Sequence, residues 1–122
     1  MPNQSDHLKQ AGHNKKFAKH FDIDSTEFLD WVITGIFYSA LHYVEAYLAT
    51  KDIHLRKHKA RDAYFQKLSD LKRIYRDYRT LKDDSEGARY DLQQFQPQEV
   101  HQLFTQEFNT IKNHILRLLP TP

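Results

Sequence analysis

Two ionisable side chains, His42 and Glu45, lie in the middle of an otherwise apolar stretch between Trp31 and Ala49. If the stretch is helical, His42 and Glu45 lie about one turn apart on a face that they share with Tyr38. The other members of that face are Thr34 and Gly35. A carboxylate so placed can accept the ring N–H of the histidine, fix its tautomer and raise its pKa. Functionally this spacing resembles an oriented general base, but buried polar residues in bundles are more often satisfied core groups, and a dimer interface is a further alternative.

The highest density of positive charge is in residues 51–61, KDIHLRKHKAR, where seven of eleven residues are Lys, Arg or His. The amphipathic segment that follows carries more basic side chains opposite its apolar stripe. Such a surface binds phosphates, and nearby tyrosines can stack on bases. The candidate phosphate-binding residues are Arg56, Lys57, His58, Arg61, Arg76, Arg79 and Arg89, and the candidate stacking residues are Tyr47, Tyr75 and Tyr78. Because acidic residues alternate with the basic ones, a solvated and internally neutralised face is the alternative.

Arg89 lies near the end of that amphipathic segment, in the run S-x-x-A-R-Y at residues 85–90. Its guanidinium can reach a bound phosphate or pair with a nearby carboxylate. The carboxylates in reach are those of Asp83, Asp84 and Glu86.

Metal, thiol and phosphate-loop chemistry have little support in the sequence. His54, His58 and Asp62 are spaced by four residues, but His54 precedes the predicted helix and no fourth ligand is apparent. The chain has no Cys, and its three Gly form no phosphate-binding loop. We therefore predict no metal site and no cofactor.

Apolar residues that repeat every three or four positions predict helices, and no segment alternates as a strand does. The predicted helices span residues 5–21, 28–50, 58–65, 69–88 and 97–118. Ser5 is the expected N-cap of the first helix, Asp24 or Ser25 that of the second, and Pro97 begins the last. We predict an all-α, up-and-down bundle of four to five helices around residues 31–49.

The chain of 122 residues has the length of one domain with a single core. We predict one helical domain over residues 1–122, with short flexible termini at about 1–4 and 120–122. A net charge of +2 gives the whole molecule no general affinity for polyanions. The lack of Cys and of an apolar leader favours a cytoplasmic location, and the polar residues within residues 31–49 argue against a membrane span.

Three runs of the sequence are informative together: GIFYSALHYVEAYLA at residues 35–49, IHLRKHKARD at residues 53–62 and LKRIYRDYRTLKDDSEGARY at residues 71–90. They resemble the HEPN superfamily of small helical proteins, and with the last amphipathic helix the resemblance covers residues 30–118. It implies an up-and-down helical bundle, a homodimer, and an association with RNA or nucleotides. Members of this superfamily often act as metal-independent endoribonucleases or as companions of small nucleotidyltransferases.

The ribonuclease motif of that superfamily is an Arg followed four to six residues later by a His, where the Arg holds phosphate and the His transfers protons. This chain has no such pair. The nearest match is Asn109 and His114, and an Asn cannot neutralise a phosphate as a guanidinium does. A structural role for His114, bonded to Thr110 or Glu107, is the alternative.

The resemblance therefore implies an RNA- or nucleotide-associated protein that lacks the usual ribonuclease motif. One alternative is a metal-independent, toxin-like endoribonuclease with His42 or His114 as catalytic residue. In it Arg61, Arg76 or Arg89 replaces the missing Arg, and the supporting residues are Tyr38, Glu45 and Asn109. The other alternative is an oligomerising interaction module that partners a nucleotidyltransferase.

Overall fold

A computed structural model describes residues 1–120, most of which are helical. The helices are α1 (Gln4–Lys19), α2 (Leu29–Ala49), α3 (His58–Lys67), α4 (Ser69–Lys72), α5 (Tyr75–Tyr90), α6 (Pro97–Gln102) and α7 (Asn109–Leu118). The π-helical segment Leu103–Phe108 joins α6 to α7 without a break. No strand occurs among the described residues, which confirms the predicted all-α helical bundle. Residues 121–122, part of the predicted flexible C-terminus, lie outside the described range.

Helix α2 is the centre of the bundle because apolar side chains cover most of its circumference. It packs against α1, α5, α6, the π-helical segment and α7, and Ile33, Phe37 and Val44 on its different sides are fully buried. Trp31, which we expected inside the bundle, is 51% exposed because it lies in the first turn of α2. None of the described helices combines the length and the apolar character that a membrane crossing requires.

Small residues let α1 and α2 approach closely. Ala11 and Ala18 of α1 are fully buried against α2, and the Ser39 hydroxyl of α2 donates a hydrogen bond to the Ala11 carbonyl at 2.7 Å. A Cβ atom on Gly35 would lie 3.0 Å from Cδ2 of Phe17. The contact between the two helices therefore depends on small side chains in both.

The first cap of the chain differs from the prediction. Asn3, and not Ser5, is the N-cap of α1. Its side chain accepts a hydrogen bond from the Asp6 N–H, and the Asp6 carboxylate accepts one from the Asn3 N–H, both at 2.9 Å. This reciprocal capping box satisfies two backbone donors that Ser5 would leave open.

The predicted caps of the second helix, Asp24 and Ser25, are also wrong, because α2 begins at Leu29. Both residues belong to a separate turn, in which the Asp22 carboxylate accepts hydrogen bonds from the Asp24 N–H and the Ser25 hydroxyl. Both carboxylate oxygens of Asp22 therefore accept hydrogen bonds from residues of the same turn.

Two irregularities interrupt the predicted fourth and fifth helices, over residues 69–88 and 97–118. The segment expected over 69–88 is divided into α4 and α5, because Ile74 has non-helical backbone angles of φ −110° and ψ 7°. The last helix contains the π-helical segment, whose i to i+5 bonding brings Leu103 and Phe108 to the same buried side. In both places burial of large apolar side chains accompanies the departure from α-helical spacing.

Candidate functional site

Glu45 forms a buried ion pair that joins α2 to α3. The Arg61 Nε donates a hydrogen bond to Glu45 Oε1 at 2.6 Å, and Arg61 Nη2 contacts the same oxygen. Each side chain is only 5% exposed. The carboxylate in the apolar helix thus has a cationic partner, and Arg61, which we expected to bind phosphate, is taken out of contact with solvent.

His58 is the second hydrogen-bond partner of the Arg61 guanidinium. It is the first residue of α3, and its Nδ1 accepts a hydrogen bond from Arg61 Nη1 at 3.1 Å. Burial, followed by the charges of Arg61 and Lys82, lowers the pKa of His58. The ring is therefore neutral at neutral pH, with its proton on Nε2.

His42 has a different partner from the one predicted. Its Nδ1 lies 3.1 Å from Nδ1 of His7 in α1, and the two rings stack with centroids 5.4 Å apart. Burial, followed by the charges of His7 and Arg61, lowers the pKa of His42 to about 4, and burial also lowers the pKa of His7. The predicted bond between His42 and Glu45, and the raised pKa, are wrong because Arg61 binds the carboxylate.

We call His7, His42, Glu45, His58 and Arg61 the Arg61 cluster. His42 lines a groove, and His7 and Glu45 line a separate cavity. The groove, of about 440 Å³ between α1 and α2, is lined by the predicted polar face of α2, namely Thr34, Gly35, Tyr38 and His42. The cavity, of about 220 Å³, is lined by His7, Glu45, His54, Leu55 and Arg56, among others. A ligand in the groove would meet a neutral imidazole, which can accept a proton.

Arg89 lies on the Tyr38 ring, with its Cζ 5.4 Å from the ring centroid. The predicted pairing with Asp83, Asp84 or Glu86 is wrong. Its Nε and Nη1 atoms are buried and have no hydrogen-bond partner among the described residues. Two buried guanidinium donors therefore lack an acceptor, next to the Tyr38 ring that lines the groove.

His114 and Asn109 contribute nothing to the Arg61 cluster. His114 is buried, and its Nε2 donates a hydrogen bond to the Asp70 carbonyl at 2.6 Å, which ties α7 to α4. The expected bond to Thr110 or Glu107 is wrong because the ring points toward the core. The Asn109 amide donates to the carbonyl of Thr105 at 3.3 Å. Neither residue hydrogen-bonds to a member of the cluster.

The predicted basic surface keeps four of its seven charged members at the surface, loses Arg61 to the core, and loses two of its aromatic members. Arg56, Lys57, Arg76 and Arg79 are all exposed. Tyr47 and Tyr78 belong to the core, so they are not available to stack on bases, and Tyr75 packs against the Phe65 ring at 5.3 Å. Burial raises the pKa of Tyr47 to about 12, with a further contribution from its hydrogen bond to Asp70.

His7 is the member of the site that the sequence reasoning missed. It lies four residues before Ala11 and eleven before Ala18, so it shares the buried face of α1 with both. That spacing is a signal in the sequence for an inward-facing His7, although it does not identify His42 as the partner.

Comparison of the chain with models of protein families, with curated proteins and with solved structures finds no match. The support for a function therefore comes from the side chains described above and from the sequence runs at residues 35–49, 53–62 and 71–90.

Proposed function

We propose that this chain is a HEPN-like protein that associates with RNA or a nucleotide. The contact is made by the basic side chains within residues 51–79, a stretch that we call the basic segment. The observation that supports the proposal is a set of exposed cations without ion pairs among the described residues. The set consists of Lys51, Arg56, Lys57, Lys59, Lys67, Lys72, Arg73 and Arg76.

None of the acidic residues of the basic segment forms an ion pair with these cations. Asp52 contacts His54 at 3.1 Å, and Asp62 pairs with Lys82 at 2.8 Å. Asp70 accepts the Tyr47 hydroxyl at 2.9 Å. Exposed and unpaired cations release condensed counterions when they meet a polyphosphate, which makes binding favourable and dependent on salt.

The test is the salt dependence of RNA binding by a triple variant, Arg56→Gln, Lys57→Gln and Arg76→Gln. Fluorescence anisotropy with a labelled single-stranded RNA gives the slope of log K against log salt. Removal of three contacts is expected to reduce the slope by about two, at about 0.7 per contact. The control carries Lys9→Gln, Lys16→Gln and Arg117→Gln, which remove the same charge from exposed positions elsewhere. A triple variant that binds RNA as the wild type does would contradict the proposal.

A second candidate, metal-independent endoribonuclease activity, is favoured by the neutral His42 in the groove with the Arg89 donors beside Tyr38. In this reaction His42 accepts the proton of a ribose 2′ hydroxyl, and the 2′ oxygen attacks the adjacent phosphorus. The 5′ oxygen leaves and takes a proton from solvent, so that a cyclic phosphate forms.

Cleavage of RNA in the presence of EDTA tests this candidate. His42→Ala is expected to abolish cleavage, and Arg89→Gln to reduce it. His114→Ala is the control for loss of a histidine, because His114 is engaged with the Asp70 carbonyl. An inactive wild type, or a His42→Ala variant that cleaves normally, would remove this candidate.

The partner we propose is a second copy of the chain, held through the exposed aromatic side chains at the groove. Phe17 and Trp31 line the groove and are 45% and 51% exposed, and aromatic residues are enriched in interface cores. Sedimentation velocity is expected to show a dimer that Trp31→Lys converts to a monomer. Leu116→Lys, at an exposed apolar position of α7, should leave the dimer intact. A monomeric wild type that sediments more heavily only with a nucleotidyltransferase would favour the interaction-module alternative.

A further inference from the structure

A separate cleft of about 500 Å³ lies where the end of α1 meets the C-terminal helix. It is lined by Lys15 and Lys19 from α1, by Phe21 from the following turn, and by Phe104 and Asn109 from the π-helical segment and α7. Its volume is within the range of sites for small molecules. None of these residues belongs to the Arg61 cluster or to the basic segment.

The lysines at this cleft are close together and have no acidic partner. Lys15 and Lys19 line the cleft, and Lys112 of α7, outside this lining, is close enough to lower the pKa of Lys15. None of the three forms an ion pair with another described residue. An ammonium group can only donate hydrogen bonds, so a contact between two of them satisfies neither.

The repulsion acts on Lys15 in particular. Its contact with Lys112, followed by burial and by the charges of Lys112 and Lys19, lowers its pKa to about 8. An anion placed between these side chains would remove the repulsion and supply the missing acceptor.

The acidic side chain in the lining of the cleft, Asp22, has hydrogen-bond partners within its own turn. Both carboxylate oxygens of Asp22, which lines the cleft, accept hydrogen bonds from Asp24 and Ser25. The Asp24 carboxylate in turn contacts His101 Nε2 at 3.0 Å. The carboxylates of the turn after α1 are therefore bound within that turn or to His101, and neither forms an ion pair with Lys15 or Lys19.

The π-helical segment gives the cleft its apolar wall. Phe104 and Asn109 are five residues apart and both line the cleft. In an α-helix such residues would be about 140° apart, whereas the i to i+5 spacing of a π-helix brings them to one side. Lys19 Nζ lies 5.9 Å from the centroid of the Phe104 ring, so the apolar and cationic walls are adjacent.

We propose that this cleft, which we call the Lys15 cleft, binds a small phosphate monoester with a flat apolar body. Lys15 and Lys19 hold the phosphate from the lining of the cleft, the charge of Lys112 adds to theirs from α7, and the rings of Phe104 and Phe21 contact the body. A phosphate monoester carries a charge of about −1.5 to −2 at neutral pH, which suits three cations better than a carboxylate does. The site is independent of the basic segment.

Isothermal titration calorimetry with phenyl phosphate tests the proposal, with inorganic phosphate, benzoate and phenol as reference ligands. Phenyl phosphate is expected to bind most tightly, and phenol not to bind. Lys15→Gln and Lys112→Gln should each weaken phenyl phosphate about tenfold, as expected for a charge-assisted contact. Phe104→Leu should weaken phenyl phosphate and leave inorganic phosphate unchanged.

Two further measurements make the outcome decisive. NMR of the lysine side chains should show that phenyl phosphate raises the pKa of Lys15. A control variant with Lys9→Gln and Lys16→Gln should bind phenyl phosphate as the wild type does. The triple variant Arg56→Gln, Lys57→Gln and Arg76→Gln should also bind it normally, whether or not the wild type binds RNA. Failure of phenyl phosphate to bind the folded wild type, or equal weakening in the control, would overturn the proposal.

Discussion

The guanidinium of Arg61 is divided between two partners, Glu45 through Nε and Nη2 and His58 through Nη1. A buried ion pair costs desolvation energy in both groups, and the loss of one member leaves the other charge uncompensated. Arg61 is therefore a residue whose substitution would abolish many activities by unfolding the protein. An RNA-binding test that includes Arg61 would confuse binding with stability.

Arg61→Met is expected to reduce the free energy of unfolding by about 3 to 5 kcal/mol, because Glu45 stays buried without its partner. Urea denaturation measures the effect. The double variant Glu45→Met with Arg61→Met should recover most of the loss, and Arg56→Met, at an exposed position, should change stability by less than about 0.5 kcal/mol. A single variant as stable as the wild type would contradict the buried pair.

The histidines of the Arg61 cluster predict a loss of stability in mild acid. The folded state lowers the pKa of His42 to about 4 and lowers the pKa of His7 and His58 from an ordinary value of 6.5. The unfolded chain therefore binds more protons than the folded chain below about pH 6.5, so the stabilisation is present above that pH and decreases as the pH falls toward 4.

Thermal unfolding between pH 7.5 and about 4.5 checks this expectation, over the range in which the unfolded histidines titrate. His42→Gln should flatten the pH dependence of the melting temperature. His20→Gln, an exposed histidine outside the cluster, should retain it. A wild-type melting temperature that is constant over this range would rule out buried neutral histidines.

At the scale of the element, periodicity in the sequence located the long helices, and it could not locate their irregularities. The apolar circumference of α2 is a local property, so its place in the core could be predicted. The break at Ile74 and the π-helical segment depend on neighbouring helices. The pairings of His7 with His42 and of Glu45 with Arg61 span 35 and 16 residues, and nothing in the spacing of one helix specifies a partner on another.

Two glycines in helices should respond oppositely to substitution. Nothing lies within 4 Å of a Cβ atom on Gly12 of α1, so Gly12→Ala should stabilise the protein by about 0.5 to 1 kcal/mol through helix propensity. Gly35→Leu should destabilise it by about 1 to 3 kcal/mol, because even a Cβ atom meets Phe17 and Ala18 at 3.0 and 3.3 Å. Urea denaturation of both variants measures this, and a stable Gly35→Leu variant would contradict the close packing of α1 on α2.

At the scale of the whole molecule, a net charge of +2 conceals an uneven distribution. Cations predominate along the basic segment and at the Lys15 cleft. Acidic side chains gather between α5 and the C-terminal helix, where Asp84, Glu99 and Glu107 line a cavity of about 180 Å³. Burial, followed by the charges of Asp83, Glu99 and Glu107, raises the pKa of Asp84. This separation of charge would orient the molecule as it approaches a polyanion.

The central position of α2 predicts which amide hydrogens are the last to exchange with solvent. Because α2 contacts α1, α5, α6 and α7, its amide hydrogens should become exposed only on global unfolding. Hydrogen exchange measured by mass spectrometry should show the slowest exchange in α2 and the fastest in residues 51–57, which have no helix. Peptides of α2 that exchange as fast as those of α3 would contradict this order.

The π-helical segment also has a genetic consequence. A π-helical turn is equivalent to one residue inserted into an α-helix, so deletion of a single codon within 103–108 would restore α-helical register while α6 and α7 kept their core faces. Such a deletion would also separate Phe104 from Asn109. A protein with this deletion is therefore expected to keep the bundle and to lose the arrangement of Phe104 and Asn109 that lines the Lys15 cleft.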